Sequence, residues 1–166
     1  MSKFSDMAHK AEAFLKELLH PHAQPAAGPP PASSVLTRMY IAPDPEAYVK
    51  AGVLVGNGQC VALVRDATGA PQTPLWIEGP KVLDNPRVPA GAAIATFIDG
   101  KYPSHDKGNH AAIYLGPDPK GIKVIDQWVN SSRHPPQPRV IRRNNPHGAV
   151  VDQAEVYSVV LTAKVH

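Results

Sequence analysis

One cysteine in 166 residues removes several chemistries at once. A single thiol can neither close an internal disulfide nor furnish a cysteine-rich zinc site. No apolar run approaches the ~18 residues of a membrane-spanning helix, so no stable membrane insertion is expected. No glycine-rich phosphate loop or dinucleotide fingerprint is present, which argues against a nucleotide enzyme. The net charge of +3 suits attraction to an anionic polymer but is too small to argue for nucleic-acid binding, and none is expected. A secretory leader is missing as well: Lys10, Glu12, Lys16 and Glu17 interrupt any apolar region in the first nineteen residues. The chain is therefore expected to be made in the cytoplasm and to leave, if it leaves, by a specialised route.

What remains is a chain long enough for one domain with a sizeable core, 43% hydrophobic and carrying 19 prolines. Phe4, Met7, Ala11, Phe14 and Leu18 recur at spacings of three and four, which predicts an amphipathic helix over residues 1–20. Residues 21–34 read as a Pro/Ala/Gly linker, and the domain proper is placed at residues 35–166. Within it, Pro43 to Glu46 turns into a short helix bearing Tyr48 and Val49, and a second helix starts at Cys60 and ends by Gly69. Pro71 and Pro74 forbid regular structure before Trp76. Core strands are predicted over 91–98, 110–115, 122–129 and 155–165, a Pro-rich linker over 130–138, and a short strand over 139–143.

Gly56-Asn57-Gly58-Gln59-Cys60 is a tight turn opening onto an apolar run. With Gly58 or Asn57 as the cap, Cys60 lies in the first turn of a helix, where unpaired N–H groups and the helix dipole stabilise a thiolate. A lone cysteine is more often a small buried core residue, so its partners decide. They are offered by the hairpin of 110–115 and 122–129. If Leu115 and Gly121 close a five-residue turn, His110 lies directly opposite Asp126, with Cβ atoms about 4.5–5.5 Å apart on one face. A slip of one residue would part them. Asp126, between Ile125 and Gln127-Trp128, needs a partner because an unpaired carboxylate in an apolar strand is costly. A base beside the thiol and a carboxylate behind the base make a thiol acyl-transfer site.

The Gly-Gln-Cys helix start, the His-Ala-Ala-Ile-Tyr-Leu-Gly strand and the Asp-Gln-Trp strand resemble the NlpC-type and CHAP peptidoglycan hydrolases. They are also similar to the cell-wall amidase effectors of type VI secretion systems. The resemblance covers roughly residues 53–129. It implies an α+β, papain-like fold with helices packed on an antiparallel sheet. It also implies Cys60 as nucleophile, His110 as general base and acid, Asp126 as the orienting third member, and no cofactor. NlpC-type enzymes usually carry Asp-Cys-Ser-Gly at the nucleophile and often a third His, whereas this chain has Gln59-Cys60-Val61-Ala62 and Asp126. For the oxyanion, the Cys60 backbone N–H would act with a second donor, Gln59 or, in competition, Tyr48.

Other residues carry weaker signals. His105, Asp106 and His110 lack a metal-ligand spacing and read as a solvated loop. His9, His20, His22, His134 and His147 read as surface residues. Arg139, Arg142 and Arg143 could attract a wall polymer but read as a solvated edge strand, and Trp76 and Trp128 read as core before groove. The function expected is hydrolysis of peptide-stem amides of peptidoglycan by an antibacterial effector. Such an effector would be injected into a competitor's periplasm by a secretion apparatus and matched by a cognate immunity protein. The alternatives are a deamidating or transglutaminase-like toxin acting on protein glutamine, and a non-catalytic binding or adaptor domain.

Overall fold

A computed structural model describes residues 37–163. The helix expected over 1–20 and the linker over 21–34 lie outside the described residues.

Helix α1 spans Glu46–Ala51 and α2 spans Cys60–Thr68. In α2 the buried residues are Cys60, Leu63, Val64 and Ala67, the spacing of a single helical stripe. Nine residues are too few for a helix to persist alone in water. Leu63 and Val64 are fully buried, and at ~1.5–3 kcal/mol for each such side chain this packing holds α2 in place. Gln59 is the N-cap residue, one position later than Gly58 and two later than Asn57, the predicted caps, and left-handed Gly69 ends the helix with its N–H on the Arg65 carbonyl.

The strands are β1 (Thr37–Met39), β2 (Ile77–Lys81), β3 (Ala93–Thr96), β4 (Ala111–Asp118), β5 (Gly121–Val129), β6 (Arg133–Arg142) and β7 (Tyr157–Ala163). They form one antiparallel sheet in which β3, β4, β5 and β6 are successive neighbours and β7 lies beside β3. Leu161 of β7 pairs with Met39 of β1 and with Ile77 of β2, so these two short strands flank β7 on opposite sides. Helix α2 covers one face together with Trp76, Ala93, Ala95, Ala111, Ile113 and Ile125. The other face buries Ile94, Tyr114, Ile122, Val124, Ile141 and Tyr157. The architecture is α+β, with helix packed on an antiparallel sheet.

Three local expectations need correction. Residues 130–138 do not form a linker: β6 runs through Pro135, Pro136 and Pro138 as a ten-residue edge strand. Only one side of an edge strand is laddered, so prolines are tolerated there. Residues 73–75 form a turn of 3₁₀ helix leading into β2, neither of which the surrounding prolines suggested. The last strand begins at Tyr157, after a 3₁₀ turn at Ala154–Val156.

The β4–β5 hairpin differs from expectation in a way that bears on function. Its turn is two residues, Pro119-Lys120, closed by Asp118 and Gly121. Continued unbroken, that register would set Asp126 across from Ile113, on the face opposite His110. A bulge at Leu115 intervenes, so Tyr114 pairs with Val124 and Ile113 with Ile125. One step further, Asp126 comes opposite Ala112 and returns to the face of His110, now as a diagonal neighbour rather than a direct one.

Gly121 sits at φ +152, and a Cβ there would lie 2.0 Å from the Ile141 carbonyl oxygen, so β5 and β6 can close only around glycine. Gly121→Ala is expected to cost about 2–3 kcal/mol. Urea unfolding would show this as a lower midpoint with an unchanged slope.

Candidate active site

Cys60, His110 and Asp126 reach the site from three elements. Cys60 is the first residue of α2, His110 immediately precedes β4, and Asp126 is on β5. His110 Nε2 lies 2.7 Å from Asp126 Oδ2, with the carboxylate fully buried. The other ring nitrogen, Nδ1, is not used by the carboxylate, and His110 and the Ala111 backbone N–H both act on the thiol. Both Cys60 and His110 line a cavity of about 590 Å³.

Burial pushes the Cys60 thiol up, but the hydrogen bond and charge of His110, with help from Ala111 N–H and Tyr102, outweigh it and hold the thiol below its ordinary value. For His110, burial favours the neutral ring. Hydrogen bonds to Asp126 and Cys60, and their negative charges, override that and raise it to about 9. The two shifts have one origin: the imidazolium favours the thiolate and the thiolate favours the imidazolium, which lowers one group and raises the other.

The turn before Cys60 is held from β5. Gln127, the residue after Asp126, points to the other face and is fully buried. Its Oε1 accepts from Val55 N–H, and its Nε2 donates to the carbonyls of Val55 and Gln59, each at 2.9 Å. The same turn requires Gly58, left-handed at φ +82, where a Cβ would lie 2.6 Å from Val129. Adjacent residues of one strand thus serve the two halves of the site: Asp126 the imidazole, Gln127 the cysteine.

Arg139 is not a solvated edge residue. From β6 its Nε donates to Asp126 Oδ2 at 2.7 Å and its Nη1 to Asp152 at 3.2 Å, and its guanidinium lies 5.4 Å from the Trp128 ring centre. One carboxylate oxygen therefore accepts from both His110 and Arg139, while Oδ1 has no partner among the described residues. Trp128 borders the cavity instead of filling the core. His134 stacks on it at 4.2 Å and is half-buried, not a free surface residue. Trp76 is core, as expected.

Gln59 lines the cavity with an exposed side chain. Tyr48 does not line it: its hydroxyl donates to Asp66 at 2.8 Å. His105 and Asp106 are exposed residues of the cavity wall. Among the described residues no group of three His, Cys, Asp or Glu is arranged to hold a metal. Sequence reasoning missed Tyr102 and Asn109. Tyr102 Oη lies 3.9 Å from Cys60 Sγ and accepts from Asn109 Nδ2 at 3.0 Å. Both sit in a polar stretch with no periodicity to mark them.

A helix-borne cysteine facing a histidine and a buried carboxylate on an antiparallel sheet defines a papain-like thiol fold. The chain belongs to the Domesticated amidase effector 2 family, which matches residues 32–159. A type VI secretion amidase effector 2 protein of Salmonella typhi is 43% identical over 90 residues, covering 54% of this chain and 65% of that protein. Domesticated amidase effector 2 of Ixodes scapularis is 36% identical over 95 residues, covering 55% and 63%. The chain thus spans a little under two thirds of the curated relatives it matches. A solved structure of type 6 secretion amidase effector 2 aligns with a TM-score of 0.65 at 32% identity, over 76% of this chain and 96% of that one.

Alkylation of Cys60 by iodoacetamide should rise with pH through an inflection below the ordinary thiol value of ~8.5. Asp126→Asn removes a hydrogen bond that holds His110 protonated, so His110 loses its proton at lower pH and Cys60 ionises at higher pH. The inflection should move up, as read by mass spectrometry of the alkylated protein across a pH series.

Proposed function

We propose that the chain is a thiol amidase or endopeptidase that hydrolyses amide bonds in the peptide stems of bacterial peptidoglycan. The observation that carries this reading is the 2.7 Å bond from His110 to buried Asp126, made beside a cysteine at a helix start in one open cavity. The amidase effector names of its relatives support the choice of reaction.

Cys60 Sγ attacks the amide carbonyl carbon, and the carbonyl electron pair moves to oxygen. Collapse restores the carbonyl and expels the amine, which takes the proton held on His110. The thioester is then cleaved by a water whose proton His110 removes, and the acid leaves with the thiol regenerated. Asp126 keeps the ring oriented through Nε2, so that Nδ1 stays on the sulfur side through both half-reactions. The helix start offers the Cys60 N–H, which has no acceptor within the helix, to the oxyanion.

The biological setting we propose is that of an antibacterial effector. It would be made in the producing cell, exported by a specialised secretion system to a target-cell periplasm, and neutralised by an immunity protein that occupies the cavity. No helix among the described residues is long and apolar enough to cross a membrane, and the site we assign lies within the domain of residues 35–166.

Purified sacculi digested with wild-type protein should release new muropeptides by chromatography and mass spectrometry, and Cys60→Ala should release none. The fragment masses would name the bond. Intact sacculi from several bacteria after wild-type treatment would overturn the cell-wall reading, and ammonia release from a glutamine-bearing protein would then favour a deamidase.

A further inference from the structure

Acyl transfer at Cys60, the reading on which this inference rests, moves negative charge from sulfur to the substrate's carbonyl oxygen. A donor that accelerates that step must be aimed where the oxygen will be and held there beforehand. The backbone N–H of Cys60 supplies one donor, and the second needs a fixed side chain.

Gln59 borders the cavity, but its side chain is exposed and makes no capping hydrogen bond that would fix its amide. Tyr48 is committed to Asp66. Tyr102 meets the requirement. Its ring is buried and packs edge-on against Trp76 at 5.2 Å between centres. Its oxygen accepts a hydrogen bond from Asn109 Nδ2, which leaves the phenolic proton free to be donated. The nearest acceptor is Cys60 Sγ at 3.9 Å, long for a bond to sulfur. An oxygen attached to the carbon that the sulfur attacks can sit between the two, within the ~2.7–3.1 Å reach of a hydroxyl. The hydroxyl is therefore better placed for the intermediate than for the sulfur itself. Burial keeps the phenol protonated, raised above its ordinary value.

We propose that Tyr102 is the second oxyanion donor of this site, with Asn109 as the positioning residue that turns its hydroxyl proton toward the reacting carbonyl. In the attack step the Tyr102 O–H donates to the oxygen as the carbon–sulfur bond forms, and the proton stays on the phenol throughout. When the carbonyl re-forms and the amine departs with the His110 proton, that hydrogen bond weakens and the hydroxyl stays where Asn109 holds it.

The test separates this role from tuning of the thiol. p-Nitrophenyl acetate acylates a reactive thiol through a tetrahedral oxyanion and requires no cell wall, whereas iodoacetamide alkylates the thiolate without forming an oxyanion. Read above the thiol's inflection, where both proteins are fully thiolate, Tyr102→Phe should slow the burst of p-nitrophenolate by ~10²–10³-fold while leaving iodoacetamide alkylation at the wild-type rate, which also reports that the site has folded. Below the inflection, loss of the hydroxyl's pull on the thiol slows both reactions alike. Asn109→Leu, which leaves the phenol free to rotate, should give an intermediate loss with alkylation again unchanged. Equal bursts from wild type and Tyr102→Phe would overturn the proposal. So would a fall in alkylation above the inflection that matches the fall in acylation, since it would assign the hydroxyl to the thiolate. Failure of the peptidoglycan reading looks different: a normal wild-type burst with sacculi left intact.

Discussion

A carboxylate with no access to water must find its counter-charges inside the protein, because desolvation costs several kcal/mol that only close, well-aligned partners return. Asp126 finds two on a single oxygen: the imidazole of His110 and the guanidinium of Arg139. Much of the surrounding structure follows from accommodating that charge. The face of β5 opposite helix α2 has to receive a polar residue, β6 has to place Arg139 beside it, and β4 has to begin just after His110. The same Arg139 reaches on to Asp152, so the acid of the site is tied through β6 to the segment that leads into β7. The imidazole carries the effect to the thiol, which sits below its ordinary value despite being buried.

The Cys60 helix was legible because its signals are local: a glycine turn, apolar residues at one helical stripe, and a closing glycine. The pairing of His110 with Asp126 was legible for a less secure reason. The expected turn at Leu115–Gly121 and the real turn at Pro119-Lys120 imply different partners, and the shorter turn alone would have turned Asp126 away from His110. The bulge at Leu115 restores the face. Side chains alternate with a period of two, so the reading survived two departures that cancelled in parity. Nothing in the residues Tyr114-Leu115-Gly116 announces the bulge beyond the glycine.

What could not be read were contacts that depend on the sheet being assembled. Pro135, Pro136 and Pro138 look like a linker until β6 is seen to be an edge. Arg139 looks like a solvated edge residue until the register brings it to Asp126. Gln127 has the composition of a surface residue, yet it is completely buried because the turn before Cys60 needs two acceptors and one donor satisfied at once. Tyr102 and Asn109 lie in an aperiodic polar loop, and only the path of that loop past Cys60 gives them meaning. Local propensity was sufficient for the elements, whereas long-range pairing decided the chemistry.

The alternation along β5 also bears on how such a domain can diversify. A single-residue insertion or deletion in the β4–β5 hairpin, unless answered by a second one, exchanges the faces of Asp126 and Gln127 and dismantles both halves of the site together. The loop of residues 99–109, which supplies the cavity wall through Tyr102, Ser104, His105, Asp106 and Asn109, is under no such parity. Its length and composition can drift as long as Tyr102 and Asn109 keep their places. Lineages that share this framework are therefore free to change the cavity wall through one loop, while the hairpin that holds His110 and Asp126 stays fixed in length.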